Sequence, residues 1–226
     1  MALFVLSDPH LSLGCDKPMD IFRGWQNYTE RLAASWRKAV GPEDTVVLPG
    51  DISWAMKLEH CTEDFSFLQQ LPGRKILGKG NHDYWWTTMN KMRAFLAQNQ
   101  FDTLDFLFNN AFFYEDLALC GTRSWFFDGA QEHDEKMLNR ELGRLRASLT
   151  AAGEREKIVF LHYPPIYAEN RAEEILSLLR EFEVTECYFG HLHGYAALGA
   201  WQGEADGIRF RLTSADALDF CPLRIR

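Results

Sequence analysis

Short apolar segments alternate along the chain with segments of helical periodicity, and this alternation constrains the fold more than any other feature. Strands alternating with helices are typical of an α/β fold, in which helices cover the faces of a sheet. The predicted strands are residues 3–6, 45–48, 75–77, 117–120, 157–161 and 186–189. Three helices are predicted. One begins near Thr29 and Glu30, one contains Leu138, Leu142, Leu145 and Leu149, and one contains Ala172, Ile175, Leu176 and Leu179.

The end of the sequence predicts a terminal β-hairpin, because residues 195–211 alternate glycine with apolar and charged residues and 209–212 alternate polar with apolar ones. We find no proline- or serine-rich linker and no internal repeat. With 226 residues, of which 46% are hydrophobic, the chain can bury one sizeable core. We therefore expect a single domain over residues 1–226.

Charge and cysteine usage restrict the partners and the compartment. A net charge of −8 repels a phosphate backbone, so we expect no nucleic-acid coat. Five cysteines without a C-x-x-C pair are typical of reduced, buried thiols in the cytosol. The sequence shows no signal peptide and no apolar run that could span a membrane, so we expect a cytoplasmic protein. The oligomeric state stays open.

Five of the predicted strands are each followed by a short polar cluster. Five of the seven histidines of the chain lie in these clusters. Ligand sites of open α/β sheets lie at the carboxyl ends of the strands, so we expect the clusters to meet at one site. The clusters are Ser7-Asp8-Pro9-His10, Gly50-Asp51, Gly80-Asn81-His82-Asp83, His162-Tyr163 and Gly190-His191-Leu192-His193.

The spacing and chemistry of these residues favour a metal centre. In extended chain, residues two apart point to the same side, so Asp8 converges with His10, and His191 with His193. A set of imidazoles, carboxylates and one amide without a thiolate suits manganese, iron or zinc better than calcium or copper(I). Magnesium stays an alternative, although it tolerates so many imidazoles poorly. The glycines at 50, 80 and 190 would let the backbone turn sharply or approach an ion.

Taken in order, these clusters resemble the signature of the calcineurin-like metallophosphoesterases. The matching motifs span residues 8–193 and are Asp8-x-His10, Gly50-Asp51, Gly80-Asn81-His82-Asp83, His162 and Gly190-His191-x-His193. The resemblance implies a central two-sheet β-sandwich flanked by helices, an α/β/β/α arrangement. It also implies two divalent metal ions, Mn²⁺, Fe²⁺/Fe³⁺ or Zn²⁺, as cofactors.

The resemblance further implies a role for each matched residue. One metal would be held by Asp8, His10 and His193, and the other by Asn81, His162 and His191. Asp51 would bridge the two ions. A hydroxide between the metals would attack phosphorus, and His82 would stabilise or protonate the leaving oxygen. Asp83 is expected to support the ligands through hydrogen bonds rather than bind metal.

The sequence departs from the protein phosphatases of this family. Those enzymes usually carry Asp-Arg three and four positions beyond the bridging aspartate, where this chain has Trp54 and Ala55. The carboxylate that would orient His82 and an arginine that would hold phosphate are both missing there. Arg123, after the predicted strand 117–120, is an alternative substrate contact, with a structural salt bridge as the competing interpretation.

The function predicted from these observations is hydrolysis of a phosphodiester or phosphomonoester bond of a small substrate. Two divalent ions against two carboxylates would leave the pocket at about +2, which attracts a small phosphate more than a long polyanion. One alternative is a nucleotide or sugar-nucleotide pyrophosphate hydrolase, hinted at by the aromatic clusters 84–86 and 125–127, for which core packing is the preferred interpretation. The other is a metal-binding scaffold without catalysis.

Overall fold

The computed structural model describes residues 1–125 and 135–226. In these ranges the strands are β1 (Leu3–Val5), β2 (Thr45–Leu48), β3 (Arg74–Leu77), β4 (Leu104–Phe106), β5 (Phe112–Tyr114), β6 (Leu117–Thr122), β7 (Glu156–Leu161), β8 (Ile166–Tyr167), β9 (Asn170–Arg171), β10 (Glu186–Phe189), β11 (Gly203–Ala205), β12 (Ile208–Leu212) and β13 (Leu223–Arg224). The α-helices are α1 (Tyr28–Ala39), α2 (Thr62–Gln69), α3 (Met89–Gln98), α4 (Glu135–Ala151) and α5 (Glu173–Glu181). Two 3-10 helices cover Leu58–Cys61 and Gly194–Gly199.

Two mixed sheets form the centre of the fold. The first has the order β13-β1-β2-β3-β4, with β1 to β4 parallel and β13 antiparallel to β1. The second has the order β11-β12-β10-β7-β6-β5, in which only the two edge strands run antiparallel. A small ladder pairs β8 with β9. Because the central strands of each sheet are parallel, their carboxyl ends lie along one edge.

Alternation of side chains along the strands builds four layers. Leu3 and Val5 of β1 pack with Ile158 and Phe160 of β7 in a core between the two sheets. Their neighbour Phe4 faces the opposite way, into a second core with α1, α2 and α3. On the other side, α4 and α5 cover the second sheet through a third core. This period-two pattern is what a strand buried on both faces requires.

The structure confirms the predicted fold class, two sheets flanked by helices. All six predicted strands form, with bounds that differ by up to two residues. Helix α1 begins at Tyr28, one residue before the predicted start, and α4 and α5 carry the predicted leucine and isoleucine positions.

Part of the prediction for the chain end is wrong. Strands β11 and β12 do form a hairpin, but it is not terminal, because β13 follows and pairs with β1 in the other sheet. The segment Gly194–Gly199 is a 3-10 helix instead of extended chain. All five cysteines are free; Cys61, Cys120 and Cys187 are buried as predicted, whereas Cys15 is half-buried and Cys221 is exposed. In the described ranges, no helix is both long and apolar enough to cross a membrane.

Candidate metal centre

The predicted site residues lie at the shared carboxyl edge of the two sheets. Asp8 and His10 follow β1, Asp51 follows β2, and residues 81–83 follow β3 of the first sheet. His162 follows β7, and residues 191–193 follow β10 of the second sheet. The strand-end loops of both sheets therefore contribute to one site, as the sequence predicts.

Four of these residues have a backbone conformation that side chains rarely adopt. The φ angles of Asp8, His10, Asp51 and His191 are 57°, 46°, 50° and 70°. Left-handed conformations are uncommon outside glycine, although Asp and His tolerate them better than most residues. Such strain persists only where surrounding structure holds it, and it concentrates at functional sites.

Two of the glycines singled out in the sequence allow the strand-end loops to touch. A Cβ atom on Gly190 would lie 2.1 Å from both Asp8 Oδ2 and Ser7 Oγ. A Cβ atom on Gly80 would lie 2.0 Å from Asp51 Oδ1. Any larger residue would displace these carboxylates, so the glycines serve close approach as well as turning.

The structure brings the predicted ligands together in two sets. Asp8, His10 and His193 form what we call the first donor group, and Asp51, His162 and His191 form the second; within each set the candidate ligand atoms all lie within 4.8 Å of one another. In the first donor group, the Nε2 atoms of His10 and His193 are 3.2 Å apart.

Asn81 joins the second donor group through its side-chain oxygen. Asn81 Oδ1 lies 2.6 Å from His162 Nε2 and 2.9 Å from His191 Nδ1. His162 is fully buried, and its Nδ1 atom has no hydrogen-bond partner in the described ranges. That nitrogen is 3.6 Å from Asp8 Oδ1, so the two groups are adjacent.

Asp51, a member of the second donor group, also faces the first. Its Oδ2 atom is 3.7 Å from His10 Nε2 and 3.5 Å from His162 Nε2. Its other oxygen, Oδ1, accepts a hydrogen bond of 2.7 Å from the backbone N–H of His82. One oxygen is thus held by the chain and the other faces donors of both groups.

Burial determines the protonation of several of these side chains. Burial lowers the pKa of His10 to about 3 and takes the pKa of His162 well below its usual range. Burial and the nearby carboxylate of Asp8 raise the pKa of Asp51. The neutral imidazoles of His10 and His162 therefore keep a lone pair that can bind a cation beside the carboxylates of Asp8 and Asp51.

Asp83 supports the loops after β2 and β3 through hydrogen bonds and belongs to neither donor group. Its carboxylate accepts hydrogen bonds from the backbone N–H groups of Gly80, Asp51 and Ile52 at 2.7 to 2.9 Å, and from Trp85 Nε1 at 3.0 Å. Burial raises its pKa to about 6, while these N–H donors act in the opposite direction. The arrangement fixes the loops after β2 and β3 to each other.

His82 stands beside the first donor group and packs on Trp54. Its ring centroid is 5.7 Å from that of His10 and 4.4 Å from that of Trp54, which also stacks on His10 at 5.0 Å. His82 Nδ1 is buried without a hydrogen-bond partner in the described ranges. Trp54 stands where the related phosphatases carry a carboxylate, so an aromatic ring supports the histidine here.

Arg123 forms a salt bridge, which the sequence leaves open as the alternative to a substrate contact. Its Nη2 atom is 3.5 Å from Oε1 of the buried Glu141, which also binds Arg144 at 2.6 Å. The backbone oxygen of Arg123 accepts a hydrogen bond from Tyr163, whose ring lies 4.4 Å from that of His191. A substrate contact by Arg123 stays a prediction.

Sequence reasoning missed Asp216. Its Oδ1 atom accepts a hydrogen bond of 2.7 Å from His193 Nδ1, and Oδ2 accepts one of 3.0 Å from the N–H of Gly194. Although burial opposes it, the carboxylates of Asp216 and Asp8 raise the pKa of His193 to about 10. Asp216 lies after β12 at the same sheet edge, so the rule that located the other clusters could have located it.

Among the described residues, the other histidine and the aromatic residues noted in the sequence belong to neither donor group. His60 is exposed, whereas His133 and the aromatic residues Phe126 and Phe127 lie outside the described residues. In the cluster at 84–86, Trp85 is buried in the second core, which lies under α1, α2 and α3, as expected, and Tyr84 is exposed.

Comparisons with known proteins agree with this geometry. The family model for calcineurin-like phosphoesterases matches residues 1–195. The chain belongs to the calcineurin-like phosphoesterase family. Membership implies hydrolase activity on phosphoesters in general, supported by metal ions, and the two donor groups are suitable places for such ions. The search of curated proteins gives no match.

Solved structures resemble the chain in fold. A protein of unknown function, AQ665 from Aquifex aeolicus, is 17% identical with a TM-score of 0.53, covering 99% of this chain and 95% of that one. A phosphopantetheinyl hydrolase from Mycobacterium tuberculosis is 14% identical with a TM-score of 0.57, covering 94% and 88%. TT1561 of Thermus thermophilus is 13% identical with a TM-score of 0.50, covering 84% and 81%.

Proposed function

We propose that this phosphoesterase uses two divalent metal ions to hydrolyse a phosphodiester or phosphomonoester bond of a small substrate. The observation that carries the proposal is the position of Asp51 Oδ2, which lies 3.7 Å from His10 of the first donor group and 3.5 Å from His162 of the second. A carboxylate oxygen between two sets of ligands suits the bridge of a two-metal site.

The residues present fit such ions. Within the first donor group, two imidazole nitrogens face each other at 3.2 Å beside the buried carboxylate of Asp8. In the second, the nitrogen Nε2 of the buried His162 lies 2.6 Å from Asn81 Oδ1 and 3.5 Å from Asp51 Oδ2, so three donor atoms converge. Nitrogen and oxygen donors without a thiolate suit manganese, iron or zinc.

In this proposal Asp8, His10 and His193 hold one ion, Asn81, His162 and His191 hold the other, and Asp51 contacts both. When bound, a pair of divalent ions lowers the pKa of an attacking water and neutralises charge on the phosphoryl oxygens.

Other side chains would position the ligands and move a proton. His82 would donate a proton to the leaving oxygen, and its position beside His10 and Trp54 supports this role. Asp216 would orient His193 through the hydrogen bond to Nδ1, and Asp83 would hold the loop that carries Asp51.

The test is hydrolysis of bis-p-nitrophenyl phosphate beside p-nitrophenyl phosphate by metal-stripped protein, with and without added manganese, iron(II) or zinc. We expect turnover only with metal, and the ratio of the two rates will assign diester or monoester preference. No turnover of either ester with two metals bound per chain would contradict the proposal. That result would favour the pyrophosphate hydrolase or the scaffold without catalysis.

A further inference from the structure

A cavity of about 680 Å³ opens beside the first donor group. Its polar side is formed by His10, His82, His193 and Asp216, so it is continuous with the proposed metal centre. Its volume lies within the range of small-molecule sites, roughly 300 to 1,000 Å³. The cavity is therefore large enough for the organic group of a substrate whose phosphoryl group lies at the donor groups.

The rest of the cavity wall is mostly apolar. The side chains that form it are Met19, Phe22, Trp25, Trp54, Tyr195 and Leu198. Those that line its deeper part, Met19 and Trp25, are buried. Among the described lining residues, the polar groups away from the donor groups are Arg23, the Tyr195 hydroxyl and the indole N–H groups of Trp25 and Trp54, of which that of Trp54 donates to Met19 Sδ. A nucleobase or sugar would bring several hydrogen-bonding groups here and would lose their partners in water.

The rim of the cavity exposes large apolar side chains to solvent. Phe22 is 51% exposed, Leu198 82% and Tyr195 88%, and Ile21 beside Phe22 is 73% exposed. Apolar side chains clustered around a cavity mark a surface that binds an apolar ligand. The cations of Arg23 at the rim and of Lys17, which lies 4.6 Å from the ring centroid of Trp54, would favour an anionic ligand.

From these observations, and resting on the proposed function, we propose that the substrate is an amphiphilic phosphoester whose apolar alkyl or acyl chain binds in this cavity. The chain would extend from the phosphoryl group at the donor groups, past His82 and Trp54, toward Phe22 and Leu198. His82 borders both the proposed metal centre and the cavity. The alkyl or acyl chain would therefore be part of the leaving alcohol, which is released when the phosphoester bond is hydrolysed.

The test measures binding of n-alkylphosphonates, from ethyl to octyl, to manganese-loaded protein by calorimetry below their aggregation concentrations. These compounds keep the phosphoryl group and the chain but have no ester bond to hydrolyse. Burying each methylene group strengthens binding by up to about fourfold. We expect Kd to fall at least about 50-fold from ethyl- to octylphosphonate, which corresponds to about twofold per methylene.

Two variants and a control test whether the alkyl chain of the phosphonate binds at the rim of the cavity. Phe22→Ala and Leu198→Ala remove apolar surface from the rim and should reduce the ethyl-to-octyl ratio of Kd about fivefold or more each. Phe113→Ala is the control, because Phe113 is 50% exposed, like Phe22, but lies on β5 away from the cavity. The control should keep the ratio of the wild-type protein. An equal loss of the ratio in all three variants would overturn the inference.

Other outcomes separate this inference from the proposed function. If the nitrophenyl esters are hydrolysed but the ratio of Kd is near one, the inference fails and the function stands. If no ester is hydrolysed but octylphosphonate binds as expected, the function fails and the apolar site stands. A ratio near one, together with a dimer that Leu198→Ala dissociates in sedimentation, would assign the rim to a second copy of the chain and overturn the inference.

Discussion

The two donor groups use the same residue types in different surroundings. In the first, the His193 side chain is 28% exposed, borders the apolar cavity and is held by Asp216. In the second, His162 is fully buried and contacts Asn81. Each group has two buried members and one half-buried histidine, so the groups differ in their neighbours: Asp216 and the apolar cavity at His193, and Asn81 at His162. The comparison teaches that two donor sets of equal burial can differ in their supporting contacts and in their access to a cavity.

The substitution with the largest expected effect changes the residue that is proposed to bridge the two groups. Asp51→Asn should lose both metals and lower kcat/KM at least about 1,000-fold, because a bridging charge contributes several kcal/mol to the transition state. Metal analysis and the nitrophenyl ester assay measure this. Asp219→Asn is the matched control, since that carboxylate is 90% exposed. Two retained metals with full activity would show that Asp51 does not bridge the groups.

Gly190→Ala tests the contact between the sheets at the first donor group. The new Cβ would lie 2.1 Å from Asp8 Oδ2, so we expect a displaced Asp8, loss of metal and a lower Tm. Gly143→Ala provides the control, because its Cβ would meet nothing within 4 Å and α4 should gain up to about 1 kcal/mol. The metal content and the Tm of both variants test whether a side chain at position 190 displaces Asp8. Wild-type metal content in Gly190→Ala would mean that the loops tolerate a side chain here.

His82→Ala separates proton transfer from metal binding. We expect kcat to fall about 100-fold or more on alkyl esters, whose leaving oxygens need a proton, and much less on nitrophenyl esters. Metal content should stay at the wild-type value, because the proposed ligands exclude His82. An equal fall on both classes of ester would assign His82 a role in structure or binding.

Asp216→Asn addresses the difference between the two groups most directly. The loss of its charge should weaken metal binding at the first donor group about 10- to 100-fold and leave the second group unchanged. Titration with manganese should then show one tight and one weakened site. Asp206→Asn, on a surface carboxylate that pairs with Arg180, is the control. Equal weakening of both sites would remove the distinction drawn between the groups.

The sequence predicts the central strands and the ligand clusters because both follow from short-range patterns. Short runs rich in β-branched or aromatic residues, such as 45–48 and 186–189, favour buried strands, and polar residues that follow such strands are expected at the sheet edge. The family resemblance, which the family model confirms, added the two-sheet arrangement. The roles of Asp8, Asp51, His82 and Arg123 stay predictions.

Elements without a local pattern could not be predicted in the same way. Strands β4, β5 and β13 are only two or three residues long, and β13 is extended because it pairs with β1 at the other end of the chain. The apolar cavity brings together residues near 20, 54 and 195, which no spacing in the sequence connects. In the sequence, Trp54 is notable only because it occupies a position where a carboxylate is expected. The fold shows that its ring packs on His82.

The buried carboxylates of the centre bear on the folding of the whole protein. Asp8, Asp51 and Asp83 are at most 1% exposed, and the cost of burying them, together with the repulsion of Asp51 by Asp8 and Asp83, raises the free energy of the folded chain. A ligand that binds only the folded state stabilises it in proportion to the logarithm of its concentration. The supply of divalent ions in the cell would then set how much of this protein persists against unfolding and proteolysis, apart from any effect on its catalytic rate.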